Sequence, residues 1–108
     1  MIGGSPDVKY IHALTKGVFK LLPMMEEQTR GEVVYIERYL RSLRTSVHGS
    51  RETLAALWND QDFIVAATML DGLSDTDATE HWRSTILSIC SRLNAVEARL
   101  LEVMHNGG

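Results

Sequence analysis

Trp82, Ile86, Ile89, Leu93, Val96, Leu100 and Val103 recur at alternating spacings of four and three, seven apolar positions without a miss. That alternation places all of them on one stripe of an α-helix. No Pro or Gly interrupts the run. Asp77-Ala-Thr-Glu80 in front of it has the form of a capping box, in which each end satisfies the other's orphan N–H. Asn106-Gly107-Gly108 behind it tolerates a left-handed C-cap. A helix from Asp77 to Met104 is roughly 40 Å long at 1.5 Å per residue. In a chain of 108 residues the other helices must pack along it.

Those other helices are legible in outline. Ser5-Pro6-Asp7 supplies a Ser cap, a Pro at the first helical position and an acid at the positive end of the dipole. A first helix is expected from there to about Leu22, with Val8, Ile11, Leu14, Val18, Leu21 and Leu22 as its buried stripe, ended or bent by Pro23. A second helix starts between Met24 and Glu32, where Thr29-Arg-Gly-Glu32 is another possible capping box. It carries the seam Val33, Ile36, Leu40, Leu43 and Val47. Gly49 is expected to be its C-cap, with Ser50 capping the next helix. In Arg51–Leu73 two apolar patches flank Asn59-Asp60-Gln61-Asp62, so a break or kink is expected there, with Asp60 capping the helical segment beyond it. Gly72 and Ser74–Asp77 form the loop to the last helix. No stretch alternates with period two, so no strand is expected. The prediction is one domain, residues 1–108, with frayed ends at 1–4 and 106–108. Its fold class is all-α: an up-down bundle of four main helices, or five if the third breaks, with a long C-terminal helix.

Composition narrows the function classes. Net charge is −3, which argues against general nucleic-acid or anionic-membrane binding. Charge is segregated: seven acids and no Lys or Arg lie between Glu52 and Glu80, and four Arg and no acid between Arg38 and Arg51. One acidic and one basic flank are the simplest expectation. Cys90 is the one cysteine, so no internal disulfide can form, which fits a reducing compartment. Its neighbours Ile86, Ile89 and Leu93 favour a buried, inert thiol. The N-terminus lacks the basic and apolar regions of a signal peptide, and no apolar run approaches the ~18 residues of a membrane span. A cytoplasmic location is expected.

Few groups suggest chemistry. Glu37, Arg41, Arg44 and His48 fall on one flank of the second helix. The plain interpretation is a solvated flank. The functional one is an anion site in which Arg supplies a planar fork and His a proton near neutral pH. Arg41-Ser-Leu-Arg-Thr-Ser-Val-His48 resembles the motif of HEPN-type helical ribonucleases, an Arg, four to six residues, then a His. Ser42 stands where that family prefers Asn, Asp or His. The resemblance covers eight residues, and it implies that Arg41 and His48 act on a scissile phosphate across a dimer. His12-Ala-Leu-Thr-Lys16-Gly17 resembles the site of histidine-phosphotransfer bundles, but one extra residue rotates Lys16 by ~100°. His12 is therefore expected at or near the surface. Glu102-Val-Met-His105 alone has the Glu-x-x-His spacing of di-iron bundles, so no metal or other cofactor is expected.

Apolar surplus is the stronger signal. Leu87, Cys90, Leu101 and Met104 make a second edge on the last helix, and Asn94 falls on it. Such an edge is core or a dimer face, and a polar residue within it can fix register. Tyr35 and Tyr39, one turn apart, form a possible further interface patch. Trp58 and Trp82 are core anchors or the walls of a small-ligand pocket. The expected function is a small intracellular, non-catalytic binding or adaptor module that forms a homodimer. An apolar-ligand-binding bundle is the first alternative, and a HEPN-like nuclease through Arg41 and His48 is the second.

Overall fold

In the computed structural model, residues 6–26, 33–73 and 80–106 are described, and of 25–26, 33–35, 80–81 and 104–106 only the backbone. Every element among them is helical: α1 (Pro6–Phe19), α2 (Leu21–Glu26), α3 (Val33–Thr53), a 3-10 turn (Ala55–Asn59), α4 (Gln61–Gly72) and α5 (Glu80–Asn106). The all-α class is therefore as expected. The caps at Ser5, Thr29–Glu32, Asp77–Glu80 and Gly107, and the loop Ser74–Asp77, lie outside the described residues. So do the side chains of Tyr35, Met104 and His105. Asn106, expected to fray, is the last residue of α5.

Pro23 sets the first break, three residues earlier than expected. It has no N–H, and its ring collides with the carbonyl four residues back, that of Phe19. α1 accordingly stops at Phe19 and α2 resumes at Leu21. There Pro23 occupies a first turn whose N–H groups have no intrahelical acceptor anyway.

α3 corrects the sequence expectation at its other end. Gly49 does not cap it and Ser50 does not start a new helix, because α3 runs on to Thr53. The reason is tertiary. Ser50 is buried, its hydroxyl donates to the Val47 carbonyl at 2.6 Å, and it accepts the Trp58 indole N–H at 3.0 Å. The Leu54 N–H then closes a helical bond to the Ser50 carbonyl at 2.7 Å. This fixed network outweighs the helix-breaking preference of one glycine, about 1 kcal/mol. The break at Asn59–Asp62 does occur. Asp60 is the N-cap of α4, and its side chain accepts the Asp62 N–H at 2.9 Å.

α5 packs chiefly against α1 and α4. Its seam supplies Trp82, Ile86, Ile89, Leu93 and Val96 to the core. Leu14 and Val18 of α1, Val47 of α3 and Phe63 and Leu70 of α4 meet it there. α1 runs antiparallel to α3, since Tyr10 meets Ser46 and Tyr39 meets Gly17. It also runs antiparallel to α5, since His12 meets Glu97 and the Thr15 carbonyl meets Cys90. These pairings are compatible with an up-down bundle. One void among these core side chains measures about 10 Å³, room for at most one water. The seam outlasts its partners: Leu100 is half-buried and Val103 is 68% exposed. Leu101, Glu102 and Val103 are exposed in succession around the helix, so α5 overhangs the bundle.

Two acids of the segment between Glu52 and Glu80 are paired across helices with arginines of α5. Arg99 donates to Asp60 at 2.7 Å and to Asp62 at 2.8 Å, and Arg92 donates to Asp62 at 2.8 Å. The Arg99 hydrogen bond, and then Arg92, hold the Asp62 carboxyl below the usual carboxylate range, against some desolvation. A folded-state pKa below the unfolded value gives stability that is present above the ordinary carboxylate range and fades as pH falls through the lowered one. The urea midpoint of Asp62→Asn is therefore expected to lie below that of the wild type at neutral pH. The gap should close on acidification below about pH 4. An equal gap at pH 7 and pH 2.5 would remove this network from the account of stability.

Candidate functional site

The suspected flank of α3 does not converge on one point. Arg44 turns toward the end of α4, where its Nε donates to the Leu70 carbonyl at 3.2 Å and its Nη2 to the Leu73 carbonyl. That makes it a cap. α4 has no basic residue in its own last turn, and Arg44 supplies the missing positive charge from the neighbouring helix. His48 turns toward Asp71, with Nε2 at 2.9 and 3.0 Å from the two carboxylate oxygens. Glu37 is half-buried and Arg41 exposed, and no hydrogen bond joins them among the described residues. Arg41 and His48 share a face of α3 two turns apart, but only His48 has a fixed partner.

Around His48 the chain makes a surface hollow of about 290 Å³, lined by His48, Arg51, Trp58, Ile64, Ala67, Thr68 and Asp71. It forms because the 3-10 turn folds Trp58 back against the end of α3. The indole N–H is held by Ser50. Phe63 meets the ring edge-on with centroids 5.0 Å apart. The His48 ring lies 6.1 Å away at 29°, and the Arg51 guanidinium carbon sits 4.1 Å above the indole. The site thus combines a rigid aromatic wall, one cation stacked on it and an Asp–His pair that fixes the imidazole. Thr68, the hydroxyl of the rim, donates to the Ile64 carbonyl at 2.9 Å.

The remaining candidates separate cleanly. Trp58 is a pocket wall, as the sequence allowed. Trp82 is not: it is 2% exposed and belongs to the core. Tyr39, partly buried, has a task within the chain: its hydroxyl donates to the Gly17 carbonyl at 2.6 Å and ties α3 to α1. A Cβ at Gly17 would lie 3.2 Å from Leu43 and 3.4 Å from the Tyr39 hydroxyl, so glycine permits this close approach. His12 is exposed, 3.5 Å from Glu97. Cys90 is buried with its thiol pushed up by desolvation, and its Sγ lies 3.9 Å from the Thr15 carbonyl.

The second edge of α5 divides in two. Cys90 goes to the core, whereas Leu87 and Leu101 are 47% and 46% exposed. The exposed stripe runs Leu87, Ser91, Asn94, Ala98 and Leu101, again at four–three spacing. Sequence reasoning missed Arg51, Asp71 and the exposed Phe19. The Arg51–Trp58 contact depends on the 3-10 turn, and His48–Asp71 joins residues 23 apart, so no local pattern announces either.

No protein-family model, curated protein or solved structure matches the chain. No helix among the described residues is long and apolar enough to cross a membrane.

Proposed function

We propose that this protein is a small non-catalytic interaction module that self-associates through the outer stripe of α5. The observation that carries the proposal is the placement of Leu87 and Leu101, both about half exposed, each seven residues from Asn94. A two-fold axis through Asn94 brings Leu87 of one copy onto Leu101 of a second, and Leu101 onto Leu87, in one step. Such self-complementarity is what an isologous dimer requires. Ser91 and Ala98 between them are small enough for two helices to approach closely. Asn94 would sit opposite its own copy, where a polar residue sets register at some cost in stability. The single, buried cysteine fits an intracellular, reducing setting.

Native mass spectrometry and sedimentation equilibrium test this directly. The wild type is expected to be a dimer. Leu101→Glu should be a monomer with unchanged helicity, since a carboxylate there would meet Leu87 of the other copy. Asn94→Cys should cross-link to itself on mild oxidation. A wild-type monomer at tens of micromolar, or a Leu101→Glu dimer, would reject the proposal.

A further inference from the structure

We propose that the hollow between α3, the 3-10 turn and α4 is a binding site for a small planar aromatic carboxylate. The site is independent of the dimer, because α5 lines no part of it. Its volume of about 290 Å³ stands at the small end of the ~300–1,000 Å³ typical of ligand sites, enough for one ring and one acid group.

The chemistry of the ligand is set by the walls. Arg51 lies over the Trp58 ring and has no carboxylate or carbonyl partner among the described residues. Arg44, Arg92 and Arg99, by contrast, are each bonded to an oxygen. Stacking restrains the Arg51 guanidinium while its N–H groups remain available, which is the geometry for bidentate capture of a carboxylate. Asp71 is hydrogen-bonded to His48, so the Arg51 guanidinium is the group at the rim with charged donors left to take a ligand, and it selects an anion. Trp58, Ile64 and Ala67 give the interior an apolar surface, which selects a flat ring over a bare anion. One guanidinium beside a carboxylate suits a monoanion; a phosphate dianion would face Asp71 without a second cation.

Benzoate is the probe. Titration followed by ¹H–¹⁵N NMR should shift the Trp58 indole N–H saturably and leave that of the buried Trp82 in place. Arg51→Gln should weaken binding about tenfold or more, the loss of one charge-assisted hydrogen-bonded pair. Arg41→Gln, on the same helix but outside the hollow, should leave affinity unchanged. Acetate and inorganic phosphate should each bind about tenfold more weakly than benzoate, lacking the stacking surface. A Trp58 signal that does not saturate, benzoate binding that survives Arg51→Gln, or phosphate that binds as well as benzoate would each overturn the assignment.

Discussion

Trp82→Ala is expected to remove about 3–5 kcal/mol of stability, the range for truncating a large buried aromatic side chain. Trp82 is among the largest fully buried side chains, at 2% exposure, and it opens the seam of α5. Its loss leaves a cavity at the start of the buried seam of α5. Against a total of about 5–15 kcal/mol for an ordinary domain, that is a large share. The thermal midpoint by circular dichroism should fall on the order of 15 °C. A midpoint within a few degrees of the wild type would show that Trp82 does not anchor the bundle.

Arg44→Ala should cost about 1.5–3 kcal/mol, the usual range for hydrogen bonds made by a charged group. The half-buried guanidinium reaches two carbonyls at the end of α4. Asp71 places a negative charge in that same last turn, which a helix C-terminus disfavours. Removing Arg44 exposes both problems at once. Arg44→Lys should recover only part of the loss, because an ammonium cannot reproduce two donors in one plane. Urea denaturation with a fluorescence readout checks both variants. Wild-type midpoints in Arg44→Ala would return this residue to the role of a solvated surface charge.

The fate of Arg44 shows how far the sequence can be read. The seam of α5, the stripe of α1, the apolar positions of α3 and the cap at Asp60 all express local periodicity or a local hydrogen bond, and each is legible in the bare chain. Val103 is legible as a seam position but not as an exposed one, because nothing local says where neighbouring helices end. Gly49 and Ser50 mislead for a related reason. Their local preference favours a helix end, and the burial of Ser50 under Trp58 reverses it. Arg44, His48 and Arg41 share a flank on the helical wheel, yet partners on α4 draw Arg44 and His48 to different tasks. The hollow itself rests on Arg51 and Asp71, which acquire meaning only through contacts made after the chain has folded.

The pairing of α1 with α5 also bears on how the molecule assembles. α1 packs its stripe against α5, far along the chain, and Thr15 meets Cys90 at a separation of 75 positions. Closing so long a loop costs entropy before any contact rewards it. During synthesis α1 precedes α5, and the part of its stripe that faces α5 stays uncovered until that helix is made. The stretch from Trp82 to Val96 therefore acts as a lock that engages late, and a chain halted before it presents a sticky, half-built surface.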